Sequence, residues 1–221
     1  MKFIIATLLI IGLPLIIVLS HLFLPSHYLL SSLYKLVFLV PLIYRMVVEK
    51  NSFWKALTRF VDLKKVHIHI LFVGSAFILL YIGGYLFFAK FIDTSAIASG
   101  LGQTGITSFN FVGISLYIIF VNSFLEEFFW RGFVFEMLRK QSRFHAYLIS
   151  STGFALFHAA FSIHFLDWNM FLLSTAGLAL FALLMNLHFE RYKNLADVWI
   201  IHACTDIPHI IVGLFALGVF H

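Results

Sequence analysis

The chain has 221 residues, 62% of them hydrophobic and 11% charged, with a mean hydropathy of +0.99. A soluble domain carries about a quarter charged residues, so this composition excludes a soluble globular protein, and the length allows one helical membrane domain of roughly six to eight spans. The net charge of +5 falls between apolar segments rather than on one face, which excludes a nucleic-acid partner and reads as membrane topology.

Seven apolar stretches are long enough to cross a hydrocarbon core about 30 Å thick. The first, 3–24, holds Pro14 and His21; it is too long for a leader peptide, and no small-residue cleavage site follows it. The second, 28–48, carries Lys35 and Pro41, and the third is 67–88. The fourth, 110–138, contains FLEEFFWRGF at 124–133 and is long enough for a tilted span with a surface extension. The remaining three are 144–164, 168–189 and 198–220. These stretches predict a single membrane domain over 1–221, all-α and polytopic, with about seven transmembrane helices. Spans without motifs fill 1–89, and the chemistry-bearing residues lie in 110–210.

Twelve of the fifteen basic residues lie on one side of this arrangement: Lys2, the group Arg45 to Lys65, Arg139, Lys140, Arg143, Arg191 and Lys193. The positive-inside tendency then places the N-terminus in the cytoplasm and the protein as a multi-pass resident of the inner, or cytoplasmic, cell membrane. The segment 51–66 has apolar residues near helical spacing with lysines between them. It predicts a cytoplasmic interfacial amphipathic helix, the other reading being a cationic solvated loop. The small, polar segment 93–108 predicts an external loop. A single cysteine, Cys204, excludes an intrachain disulfide.

Of ten acidic residues, only Glu126, Glu127 and Asp206 fall well inside a span. A carboxylate at the bilayer centre costs about 2–4 kcal/mol, so such residues face an interior and find partners. Glu127 and Arg131, four apart on one helical face, can pair directly. Glu126 points about 100° away and is left over, placed to accept a proton near neutral pH. Most of the eleven histidines lie near predicted interfaces. His158 and His202 are deep, and His202 shares a face with Asp206; His209, after Pro208, lacks an obvious partner. At about 1.5 Å per residue, Glu126, His158, His202 and Asp206 lie about 18, 21, 10 and 16 Å from the basic side, close enough to share a layer.

In order and spacing, Glu126-Glu127-x-x-x-Arg131, Phe154-x-x-x-His158 and His202-x-x-x-Asp206 resemble the three signatures of the CAAX-processing and bacteriocin-processing (CPBP, Abi-type) intramembrane proteases. The resemblance implies an endopeptidase in which Glu126 and His158 activate water. His202 and Asp206 would then stabilise the oxyanion, with Glu127 and Arg131 in support. The prenyl-protein branch has asparagine where this chain has Asp206, and an ionised aspartate donates no hydrogen bond. Asp206 is therefore expected to orient His202 in its donor tautomer or to be protonated by burial. No cofactor is expected. Zinc is the alternative, with Glu126, His158 and His202 as its ligands. The implied partners are the lipid bilayer and a membrane-associated peptide or protein substrate. Two rival readings are a non-catalytic immunity or scaffold protein of the same fold and an ion-coupled transporter. The sequence leaves the substrate and the oligomeric state open.

Overall fold

A computed structural model describes residues 2–23, 27–91, 94–162 and 166–219, and among them every regular element is helical. In chain order the α-helices are α1 (Lys2–Phe23), α2 (Tyr28–Lys35), α3 (Val40–Val47), α4 (Phe53–Thr58), α5 (His69–Phe88), α6 (Thr94–Gln103), α7 (Phe111–Tyr117), α8 (Ser123–Phe129), α9 (Glu136–Arg139), α10 (Arg143–Ser162), α11 (Trp168–Tyr192) and α12 (Leu195–Ala216). A 3-10 turn joins α2 to α3, and π-helical turns join α7, α8 and α9 into one continuous rod. Among the described residues, five helices are long and apolar enough to cross a membrane: Leu30–Val47, His69–Phe88, Phe111–Arg139, Trp168–Tyr192 and Leu195–Ala216. In α1 the run Ile4–Ser20 is apolar, and α10 is not among the five, so the polytopic bundle stands with five such helices among the described residues against the seven expected. Asp93, His164 and His221 lie outside the described residues.

The rod Phe111–Arg139 is 50% buried, against 11% for His69–Phe88, which puts it at the centre of the bundle. The bundle's surface is correspondingly apolar: Phe72, Leu80 and Phe87 on α5 and Leu8 on α1 are exposed, as lipid-facing residues should be. Apolar surface gains little by moving from lipid into the protein, so close packing holds the helices together. Two glycines show this. A Cβ on Gly74 would lie 2.9 Å from Cys204 Sγ, so the missing side chain lets α5 approach α12. A Cβ on Gly153 would lie 2.7 Å from the Trp130 ring, so α10 can lie against the second π-helical turn.

The three basic connections meet at one end of the bundle. Asn194 Nδ2 donates to Asp62 O, and Lys193 Nζ lies 3.3 Å from a Glu136 oxygen. Glu190 accepts from Arg139, Arg143 and the Tyr147 hydroxyl. At the opposite end, Tyr28 N donates to Thr104 O, and Ile106 and Phe111 pack with Leu214 and Leu217.

Two connections differ from expectation. The segment predicted as an external loop contains a ten-residue helix, α6. Its run of Ala, Ser and Gly is small enough to lie close against α12, with Gly100 buried, so polarity misled where size decided. The interfacial segment is helical only over α4, followed by a single turn at Leu63–Lys65. There the backbone bonds outside its own segment: Asp62 N donates to Asn194 Oδ1 and Phe60 O accepts from Leu195 N. Those bonds replace the helical ones the spacing predicts.

Candidate active site

The central rod presents Glu126 and Glu127 on α8 and Arg131 one turn further on. The π-helical turns Ile118–Asn122 and Trp130–Phe135 bracket this pair. Such wide turns concentrate at functional sites because they re-aim side chains without ending the helix. Glu126, Glu127 and Arg131 are all fully buried.

The two glutamates have different surroundings. Glu127 Oε1 accepts from Arg131 Nη1 at 2.8 Å and from His202 Nδ1 at 2.7 Å. Arg131 also donates to Ala182 O at 3.3 Å, and its guanidinium lies 4.5 Å from the Phe154 ring centre. This charge-balanced unit fixes His202 by its Nδ1, while Glu127 Oε2 and Arg131 Nε stay buried without a hydrogen-bond partner. With Nδ1–H committed, His202 Nε2 can donate only when the ring carries both protons.

Glu126 faces the other way. Its Oε2 lies 3.1 Å from His158 Nε2 and 3.8 Å from His202 Nε2. Neither contact is a well-aligned hydrogen bond, and Oε2 is a buried oxygen with no protein hydrogen-bond partner. His158 Nδ1 donates to Phe154 O at 2.9 Å, and the Phe154 and His158 rings lie 4.3 Å apart. That backbone bond is the structural content of the Phe-x-x-x-His spacing. It fixes the tautomer, so neutral His158 turns an acceptor nitrogen toward an acceptor oxygen. A water donating to both would satisfy them.

Four residues predicted for the site, Glu126, His158, His202 and Asp206, thus come together from three helices. Asp206 is placed more loosely. Its Oδ1 is 4.0 Å from His202 Nε2, too far to orient that ring, and its Oδ2 is buried without a partner. The orienting role expected of Asp206 is occupied by Glu127. His209 stays outside: its Nδ1 bonds Thr205 O, and its ring lies against Tyr81.

One residue was missed. Lys35, at the end of α2, donates to Glu126 Oε1 at 2.9 Å and to Asn122 Oδ1 at 2.6 Å. A lone lysine inside an apolar stretch was the available signal, since buried charge seeks a counter-charge, but nothing in the sequence says which one. The ammonium holds Oε1 and leaves Oε2 to the histidines. Lys35, His158 and Asp206 are each partly exposed, with side chains 20%, 26% and 17% accessible, and so mark the side from which the buried carboxylate is reached.

Among the described residues, no three His, Cys, Asp or Glu side chains are arranged to hold a metal ion. The zinc set Glu126, His158 and His202 meets at Oε2, but Oε1 already faces an ammonium.

Residues 108–208 match the sequence model of a family described as type II CAAX prenyl endopeptidase Rce1-like. Neither the curated proteins nor the solved structures contain a match to the chain.

Proposed function

We propose, from the premise that this chain belongs through residues 108–208 to the Rce1-like CAAX endopeptidase family, that it is an intramembrane endopeptidase. It hydrolyses a peptide bond of a membrane-associated protein or peptide with water activated by Glu126 and His158. The observation that carries this reading is the buried Glu126 Oε2, which has no hydrogen-bond partner and lies 3.1 Å from Nε2 of the partly exposed His158, beside a histidine already fixed by its other nitrogen.

A water between Glu126 Oε2 and His158 Nε2 gives a proton to Glu126 as its oxygen attacks the scissile carbonyl carbon. The carbonyl oxygen becomes an oxyanion, and doubly protonated His202 donates to it from Nε2. The proton held by Glu126 then passes to the amide nitrogen as the C–N bond breaks, releasing an amine and a carboxylic acid, which gives up its remaining proton to the amine. Lys35 is a positioning residue: it pins Oε1, so the carboxylate presents Oε2 to the water. Exclusion of bulk water by the surrounding helices strengthens each of these interactions. Asp206 lines the approach without an assigned proton step.

The charge distribution supports a cytoplasmic N-terminus in the cell's inner membrane. The substrate class is a peptide presented at the membrane, its lipidation left open. In membranes expressing each variant, Glu126→Gln and His158→Ala should each abolish cleavage while the protein still accumulates. Comparative proteomics of wild-type and Glu126→Gln membranes should reveal the peptide that ceases to be processed. Normal processing by both variants would overturn the mechanism. A phenotype that survives both would favour the non-catalytic immunity or scaffold reading.

A further inference from the structure

A cavity at the basic end of the bundle plays no part in the proposed chemistry. It measures about 690 Å³ and opens between the 58–67 connection and the turn joining α11 to α12. Arg59, Lys65 and Lys193 line it, against a single lining carboxylate, Asp62; His67 and Asn194 complete its polar wall.

We infer that this cavity binds the phosphate headgroup of an anionic membrane lipid, and that the bound lipid steadies the first turn of α12. Three observations converge on this. The cations enter one space from two distant segments, whereas ordinary topology-setting lysines need share no cavity. Among the described residues each has a single ion-pair contact: Arg59 with Glu49 at 3.0 Å, Lys65 with Asp62 at 3.3 Å, and Lys193 with Glu136 at 3.3 Å. A guanidinium has five donors and an ammonium three, so each cation keeps donors for a phosphate.

The second observation concerns the source of that phosphate. The apolar residues Phe53, Trp54 and Ile68 flank the cavity-lining connection, Leu63 lies within it, and all four are exposed, Trp54 by 70% and Ile68 by 73%. Aromatic and aliphatic groups beside basic residues sit at the headgroup level of a bilayer. Basic pockets between membrane helices at that level bind anionic headgroups.

The third is the link to α12. His67 bonds Asp197 on the first turn of α12 twice, through Nδ1 at 2.7 Å and its backbone N–H at 3.2 Å. Asn194 caps the helix through Ala196 N and holds Asp62 N. The wall of the cavity is therefore also the anchor of the helix that carries His202 and Asp206.

The test reconstitutes the full chain in neutral phosphatidylcholine bicelles, with or without phosphatidylglycerol. It reads the melting midpoint and, by native mass spectrometry, the lipid retained. Phosphatidylglycerol should raise the wild-type midpoint by about 5 °C and remain bound. Arg59→Gln/Lys193→Gln should lose most of both effects, and Lys193→Gln alone serves if the double variant does not fold. Lys55→Gln/Lys140→Gln removes the same charge from exposed positions outside the cavity and should keep both. Equal responses from the two double variants, or no rise in the wild type, would overturn the proposal. An equal rise with inorganic phosphate in neutral bicelles would overturn the lipid as the source. Neither readout depends on catalysis.

Discussion

Two histidine–carboxylate clusters among the described residues are equally buried at their acidic centres and opposite in how they are completed. At the basic end, Asp197 is fully buried, and both of its oxygens are occupied. Oδ1 accepts from His67 N and Asn194 Nδ2, and Oδ2 lies 2.7 Å from His67 Nδ1 and 3.3 Å from His188 Nε2. In the interior, Glu126 is just as buried, yet one of its oxygens has no hydrogen-bond partner and faces two imidazole nitrogens. A saturated carboxylate can only hold elements together. An unsaturated one, in a site that water can reach, can take a proton. Both carboxylates are fully buried and differ in hydrogen-bond completeness. Glu127 Oε2 is also buried without a partner, so what sets Glu126 Oε2 apart is that it faces two imidazole nitrogens, as the proposed role of a base requires.

The sharpest way to break this contrast is to neutralise each centre. Glu126→Gln should lower turnover by at least about 10³-fold with little change in melting midpoint, because the proposed general base is removed while shape is kept. Next in size, Glu127→Ala should cost about 3–5 kcal/mol of stability, because Arg131 is left fully buried without its counter-charge. Poor accumulation in membranes is the readout, in contrast to its neighbour. Asp197→Asn should cost about 2–3 kcal/mol, read as a lower midpoint, with turnover per folded molecule close to wild type. A collapse of turnover in folded Asp197→Asn protein would erase the distinction between the clusters. Lys35→Met should lower kcat by about 10- to 100-fold at nearly constant KM, since it misorients the base without touching substrate. Lys35→Arg, which keeps the charge, should recover part of that loss, and a purely structural lysine would show no such split. The smallest effect is expected from Tyr147→Phe, about 1 kcal/mol, because Glu190 keeps both arginines.

Much of the site was legible in the sequence because helices convert spacing into geometry. Four-residue spacing in the central rod put Glu127 beside Arg131, and depths of about 10 to 21 Å from the basic side put Glu126, His158 and His202 near enough to share a layer. Asp206 shows where spacing is insufficient: sharing a face with His202 brings it near, but 4.0 Å separates the atoms and Glu127 holds the ring instead. Lys35 lies 91 positions from Glu126 in the chain, and no periodicity connects them. Asp197 sat at a predicted span end, where an acid is unremarkable, and only the meeting of three connections gave it two histidines. The helix α6 was hidden for a related reason: its small residues carry little hydropathy, and their value lies in how closely they let α12 approach.

The sequence by itself determined the solvent, the helical class, the basic and non-basic sides, and which polar residues had to be explained. Each follows from local rules, since hydropathy sets insertion and 3.6 residues per turn set which side chains share a face. Only the tertiary structure decided which partner each buried charge found. Lipid offers no hydrogen bonds, so every such group must be satisfied by whichever helix happens to lie against it. That choice separated Glu126 from Glu127, brought Lys35 to one and His202 to the other, and left a single carboxylate oxygen of the pair facing two histidines.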